Sequence, residues 1–175
     1  MTTDAPARTP LAHLPTPAVP ADRLGAALGL PAGALWIKHD DLTGVAGGGN
    51  KARKLEHLAT AAVAAGADTL VTGGGRQSNH VRLTAAVANR LGLAATVVLA
   101  SAPPDQPTGN VVLDEVLAPD IVWAGDLDYY GLEDAIAAES ERLAGEGRRP
   151  YLIPVGGASA VGALGYVHAA HELDA

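Results

Sequence analysis

Short apolar runs alternate with segments of helical periodicity along most of this chain, and the alternation limits the folds open to it. Apolar runs occupy residues 68–72 and 95–100. Between them, a segment that Ser78 or Asn79 could cap carries apolar residues at helical spacing as far as Gly92. A strand, a helix and a second strand in this order form a parallel crossover unit. We therefore expect an α/β fold with three layers, in which helices flank a parallel sheet.

The same patterns predict the remaining elements. Asn50 is a good N-cap for a helix that begins at Lys51, and Gly66 is a good stop for it. The first twenty residues contain five prolines and predict an extended or irregular arm. Further strands are expected over 35–38, 121–124 and 151–155, and further helices over 22–28, 111–117, 132–143 and 161–173.

Composition excludes several classes of function. The chain has 175 residues, of which 48% are hydrophobic, and a net charge of −7, which is unfavourable for general nucleic-acid binding. It has no cysteine, so disulfides, a thiolate nucleophile and cysteine-ligated zinc are excluded. No apolar run reaches the roughly 18 residues of a membrane span, and the N-terminus lacks a signal-peptide pattern. We expect a cytoplasmic protein without a membrane partner.

A glycine run leads directly to Lys51, in the stretch GGGNK. Gly44 and Gly49 have the spacing of a nucleotide-binding phosphate loop, but Asn50 stands where that loop needs its lysine and Ala52 supplies no hydroxyl. A phosphate loop for nucleotide hydrolysis is therefore a poor interpretation.

Lys51 itself leaves two interpretations open. It is either a solvated surface side chain or a nucleophile for a carbonyl, because the positive end of a helix disfavours the ammonium form and only a neutral amine attacks. Lys54 lies one turn further on the same face and could bind an anion such as a cofactor phosphate.

A second glycine loop, GGGRQSN, follows the strand at 68–72 and opens the next helix. Gly73 and Gly75 match a dinucleotide fingerprint, but Ser78 stands in the place of its third glycine. The loop still directs backbone amides, and the side chains of Ser78, Asn79 and His80, towards an anion.

Two acidic or histidine pairs offer other chemistry. His168 and His171 lie three residues apart and could chelate a metal, although a solvent-facing pair is the commoner case. Asp40 and Asp41 could act as a metal or acid–base pair, or simply cap a turn. No third ligand is evident for the histidine pair, and turn capping is the ordinary role of loop carboxylates, so we expect no metal site.

Four ordered blocks carry a resemblance to a known family. They are LWIKHDDLTGVAGGGNKARKLEHL, GADTLVTGGGRQSNHVRLTAAVANRLGL, GNVVLDEVL and RPYLIPVGGASAVGALGY. Together they resemble the pyridoxal-phosphate enzymes of the D-cysteine desulfhydrase and 1-aminocyclopropane-1-carboxylate deaminase family. The resemblance implies the tryptophan-synthase-β type of fold (PLP fold type II), present here in incomplete form.

The resemblance also implies roles for individual residues. Lys51 would carry pyridoxal 5′-phosphate as a Schiff base and would be catalytic. The anion that the position of Lys54 suggests would then be the cofactor phosphate. Ser78, Asn79 and His80 would bind the substrate carboxylate, with Asn79 also contacting the cofactor's ring oxygen. In the deaminase branch the serine matching Ser78 is a nucleophile, whereas SNH at this position is similar to the desulfhydrase branch.

The implied reaction is β-elimination from D-cysteine, which gives pyruvate, ammonia and sulfide. The alternatives are 1-aminocyclopropane-1-carboxylate deamination, or an inactive anion-binding α/β module. We expect residues 50–149 to form a small α/β domain. Residues 1–49 and 150–175 should belong to a large domain, whose sheet the strand at 151–155 would join. The last helix still runs where the chain stops, so we expect a truncated member of a family whose full-length proteins are homodimers.

Overall fold

Four parallel strands form the central sheet of the computed structural model, which describes residues 7–174. They are β3 (Thr69–Gly74), β4 (Ala94–Leu99), β5 (Asp120–Trp123) and β6 (Pro150–Leu152), in the order β5-β4-β3-β6. A separate antiparallel pair is formed by β1 (Ala18–Pro20) and β2 (Trp36–Lys38). The helices are α1 (Asp22–Ala27), α2 (Lys51–Ala64), α3 (Asn79–Leu91), α4 (Asn110–Leu117), α5 (Tyr129–Gly145) and α6 (Ala160–Leu173).

The predicted three-layer arrangement is confirmed. Side chains alternate across β3, so that Leu70 packs into the cluster built by α2 and α3, whereas Val71 packs with Ile136 of α5 on the opposite face. Helix α6 packs against α2, where Gly165 lies so close that an added Cβ would come 2.3 Å from the Arg53 carbonyl oxygen. Within residues 7–174, no helix is long and apolar enough to cross a membrane.

Strand β6 corrects one expectation. It pairs in parallel with β3, with Tyr151 opposite Leu70, so it belongs to the same sheet as the strands of residues 50–149 and does not join a separate large-domain sheet. The pairing buries Ile153, directly after the strand, in the core beneath α2. The division into residues 1–49, 50–149 and 150–175 otherwise stays a prediction.

The N-terminal arm is irregular over residues 7–17, as predicted, but it is bound firmly to α2. The carboxylate of Glu56 accepts hydrogen bonds from the backbone N–H groups of Leu11 and Ala12, at 2.8 and 2.9 Å, and from Arg8 at 2.6 Å. Strand β1 was not predicted, because Pro17 precedes it and Pro20 is its last residue, and prolines obscure the strand pattern.

Candidate functional site

Lys51 is the first residue of α2, and a glycine loop leads directly to it. Gly48 has φ of +79°, and a Cβ at this position would lie only 1.8 Å from the carbonyl oxygen of Asp41. The hydroxyl of Thr43 accepts from the N–H of Gly49 at 2.9 Å and so closes the loop. Only glycine fits at position 48, which explains why a glycine run precedes the lysine.

The prediction that Asn50 caps α2 is wrong. Asn50 has helical dihedral angles, and its side chain makes no capping hydrogen bond. Its amide instead donates to the hydroxyl of Tyr166 on α6, at 2.7 Å. The long-range bond to α6 replaces the local cap, and it brings a tyrosine to the start of α2.

The second glycine loop forms the N-terminus of α3, as predicted, with Ser78 rather than Asn79 as the N-cap. The hydroxyl of Ser78 accepts from the N–H of Val81 at 3.3 Å. The first N–H groups of a helix have no partner within it. The backbone N–H groups of Asn79 and His80 therefore point out of the helix, available to an anion.

His80 is buried, and its hydrogen bonds determine its tautomer. The hydroxyl of Thr72 donates to the carbonyl oxygen of Ile153 at 2.8 Å, so it can only accept from His80 Nε2, which lies 3.0 Å away. The proton is thus on Nε2, and Nδ1 is a buried acceptor without a protein partner among residues 7–174. Burial lowers the pKa of His80 to about 3, with a further effect of the charges on Lys51 and Lys54, so the ring is neutral.

A third loop, after β6, also lies at the site and was missed from the sequence. Gly156 and Gly157 both have positive φ. A Cβ on Gly156 would lie 3.9 Å from Lys51 Nζ, and a Cβ on Gly157 would lie 3.4 Å from the His80 ring. The signal was available, because a strand followed by two glycines and a helix repeats the pattern of the second loop.

Lys54 faces the same third loop. Its Nζ donates to the carbonyl oxygen of Gly156 at 3.1 Å and lies 5.8 Å from the centre of the Tyr166 ring. Burial, and then the charge of Lys51, lower the pKa of Lys54. The structure therefore brings Lys51, Lys54 and His80 together at the carboxyl ends of β3 and β6, where ligands bind in parallel sheets.

The other candidate pairs lie away from this cluster. Asp40 binds Arg53 and Thr16, whereas Asp41 contacts His39. His168 is not simply solvent-facing, since its ring stacks on the buried ring of His57, with ring centres 5.1 Å apart. In the part of the chain that the structure describes, no three histidine, aspartate or glutamate side chains are grouped as a metal ion requires.

Comparison with known proteins agrees with this geometry. A family model described as "Pyridoxal-phosphate dependent enzyme" matches residues 9–175. The chain is 41% identical, over 176 residues, to the mitochondrial "Bifunctional D-cysteine desulfhydrase/1-aminocyclopropane-1-carboxylate deaminase" of Arabidopsis thaliana. The matched region covers 94% of this chain and 42% of the Arabidopsis protein. It is 44% identical, over 146 residues, to a D-cysteine desulfhydrase of Yersinia pestis (strain Pestoides F), covering 81% of this chain and 44% of the relative.

A solved structure shares the fold. The crystal structure of an ACC deaminase homologue superposes with a TM-score of 0.88 at 38% identity, covering 96% of this chain and 50% of that one. The fold is thus that of PLP fold type II, as expected, and the chain spans half or less of the length of these relatives. Since the family model matches nearly the whole chain, this chain belongs to the family of pyridoxal-phosphate dependent enzymes.

Proposed function

We propose that this chain supplies the reactive lysine and the carboxylate-binding loop of a lyase that eliminates the β-thiol of D-cysteine, giving pyruvate, ammonia and sulfide. The observation that carries the proposal is the convergence of Lys51, the α3 N-terminus and the glycines after β6 at one edge of the sheet. The printed names of the relatives, which include D-cysteine desulfhydrases, supply the substrate class.

The residues present fit pyridoxal phosphate. Lys51 Nζ faces the open space beside Gly156, where a Cβ is absent, so an aldehyde could reach the amine. Asn79 is an exposed side chain at the start of α3, and its amide would contact the ring oxygen. Lys54 would add a cation for the phosphate group. When bound, the cofactor supplies a ring system that spreads the negative charge left at the substrate α-carbon.

The chain's own groups would bind the substrate and move its proton. The backbone N–H groups of Asn79 and His80, with the Ser78 hydroxyl, would hold the substrate carboxylate at the start of α3. The Lys51 amine, when it is not bound to the cofactor, would take the substrate α-proton as a general base. The neutral His80 ring would accept a hydrogen bond at Nδ1 without adding positive charge beside Lys51.

D-Cysteine is placed before 1-aminocyclopropane-1-carboxylate because the relatives include proteins named only as D-cysteine desulfhydrases. Ser78 Oγ accepts a hydrogen bond from the N–H of Val81, which leaves its own hydroxyl hydrogen to donate to the substrate. An inactive anion-binding module is the alternative that the experiment below tests. The cytoplasmic location and the homodimer stay predictions.

The test uses the fact that the chain has only three lysines, Lys38, Lys51 and Lys54. The protein is incubated with pyridoxal phosphate, desalted and reduced with borohydride, and the label is mapped by mass spectrometry. We expect the label to concentrate on Lys51, because Lys38 is held by Glu172 at 2.7 Å and Lys54 by Gly156. Equal labelling of the three lysines would contradict an organised site.

The substrate is tested on the same desalted protein before reduction. D-Cysteine should remove the label from Lys51 at lower concentrations than L-cysteine, because both react alike with a free aldehyde but only one fits the site. 1-Aminocyclopropane-1-carboxylate is the second comparison. If the two enantiomers of cysteine remove the Lys51 label at equal concentrations, the D-cysteine assignment is refuted. If the cyclopropane amino acid removes the label at a lower concentration than D-cysteine does, the deaminase alternative is favoured.

A further inference from the structure

Asn110, the first residue of α4, has every polar atom of its side chain occupied. Its Nδ2 donates to the carbonyl oxygen of Gln77 at 2.8 Å and to Asn79 Oδ1 at 2.9 Å. Its Oδ1 accepts from Arg82 Nη1 at 3.2 Å. These contacts account for the asparagine of the GNVVLD motif, which neither the sequence patterns nor the proposed reaction explain.

Arg82 determines which way round the amide of Asn110 lies. A guanidinium has only donors, so the atom of Asn110 that faces it must be the oxygen, and the nitrogen must face Gln77 and Asn79. Arg82 is itself fixed, because it is buried along α3 and its Nη2 donates to the carbonyl oxygen of Gly48 at 2.7 Å. The orientation of Asn110 is thus imposed rather than free to reverse.

The same reasoning extends to Asn79. The atom of Asn79 that faces the Asn110 nitrogen must be its oxygen, so its own nitrogen is left over as the free end. Among the described residues, no protein acceptor takes the Nδ2 hydrogens of Asn79. Asn79 therefore presents the donor end of its amide to a ligand.

We propose that Arg82 and Asn110 are positioning residues that lock the Asn79 amide with its nitrogen towards the ligand, so that the site selects an oxygen acceptor there. The identification of this acceptor as an atom of pyridoxal phosphate rests on the proposed function. The locked orientation of Asn79 is independent of the proposed function. Arg82 also holds Gly48, in the loop that leads to Lys51. One guanidinium therefore ties together the two loops that would hold the cofactor.

The variant that tests the proposal is Asn110→Asp. Aspartate keeps the size of the side chain and pairs well with Arg82, but its carboxylate cannot donate to Asn79 or Gln77. The matched control is Asn89→Asp. The Asn89 amide also ties α3 to α4, by donating to the Leu117 carbonyl oxygen at 2.7 Å, but it has no contact with Asn79. Loosening of the α3–α4 contact should be similar in both variants.

Two measurements are made. First, NMR of the ¹⁵N-labelled protein without cofactor follows the side-chain amides. We expect slow solvent exchange for Asn110, fast exchange for Asn79, and a shifted Asn79 resonance in Asn110→Asp but not in Asn89→Asp. Second, the pyridoxal phosphate concentration for half-maximal labelling of Lys51 should rise about tenfold in Asn110→Asp, the effect of one misplaced hydrogen bond, and less than twofold in the control.

Two results would overturn the proposal. One is rapid exchange of the Asn110 amide hydrogens, as in an exposed side chain. The other is equal weakening of Lys51 labelling in Asn110→Asp and Asn89→Asp, which would mean that Asn110 acts only through the helix contact. Failure of the wild type to label at Lys51 refutes the proposed function instead, and the exchange measurement still decides the orientation of Asn79.

Discussion

Replacing Glu172 with glutamine should remove a large, pH-dependent part of the stability of this chain. Glu172, on α6, makes two hydrogen bonds to the buried guanidinium of Arg53, at 2.8 and 2.9 Å, and an ion pair with Lys38 at 2.7 Å. Arg53 binds Asp40 at the same time, so one arginine joins three separate parts of the chain. Breaking a buried pair by removing one partner is strongly destabilising, because the remaining charge is left uncompensated.

The pKa of Glu172 gives the magnitude. Hydrogen bonds from Arg53, opposed by burial and supported by Lys38, lower this pKa from 4.5 to about 2. A shift of this size is worth about 3 kcal/mol, since each pKa unit corresponds to about 1.4 kcal/mol. The side chain is only 14% exposed, so solvent screening is small. Because the folded-state pKa is the lower one, this stability is complete above about pH 5 and is lost as the pH falls towards 2.

The assay is urea unfolding of the wild type and of Glu172→Gln at pH 7 and pH 3. We expect the variant to be less stable by about 3 kcal/mol at pH 7 and by only about 1 kcal/mol at pH 3. The matched control is Glu141→Gln, at an exposed position of α5. The reasoning is refuted if Glu172→Gln is destabilised equally at both pH values, or no more than the control.

Two further predictions concern packing and buried charge. Gly165→Ala should lower the free energy of unfolding by about 2–3 kcal/mol, because the new Cβ would strike the Arg53 carbonyl oxygen at the α2–α6 contact. Gly145→Ala, with nothing within 4 Å of its new Cβ, should raise that free energy by up to about 1 kcal/mol. Calorimetric unfolding of both glycine variants beside the wild type measures the two effects. Asp114 has a pKa raised to about 6 by burial, so its ionisation destabilises the fold as the pH rises from 4 to 8. Between pH 4 and pH 8, the free energy of unfolding of Asp114→Asn should rise by about 2 kcal/mol relative to that of the wild type, as measured by denaturant unfolding. If the two proteins show the same dependence of this free energy on pH, the prediction is wrong.

The sequence predicted the elements of the site better than their long-range partners. Hydrophobic periodicity located α2, α3 and β4 to within a residue or two, because the spacing of apolar residues within each element depends only on that element. The same periodicity does not state which strands are neighbours, so the pairing of β6 with β3 was missed. The wrong cap assignment at Asn50 has the same origin, since its partner Tyr166 lies 116 residues away.

Polar contacts between distant residues account for the rest of what was missed. Lys51, Ser78, Asn79 and His80 were singled out because they follow glycine loops, a pattern visible in any short window. Asn110 belongs to none of these loops, and its role depends on an arginine 28 residues earlier. A motif such as GNVVLD can therefore be recognised in a sequence long before its contacts can be deduced.

The direction of the Lys51 side chain depends on contacts made by the opposite side of α2. Successive residues of an α-helix are about 100° apart, so Arg53 points to nearly the opposite side from Lys51, whereas Lys54 points about 60° from Lys51. The five hydrogen bonds of Arg53 to Asp40, Glu172 and Thr16 resist rotation of α2 about its axis. Since that rotation would carry Lys51 away from Gly156 and His80, the buried ion cluster fixes the direction of the reactive amine without touching it.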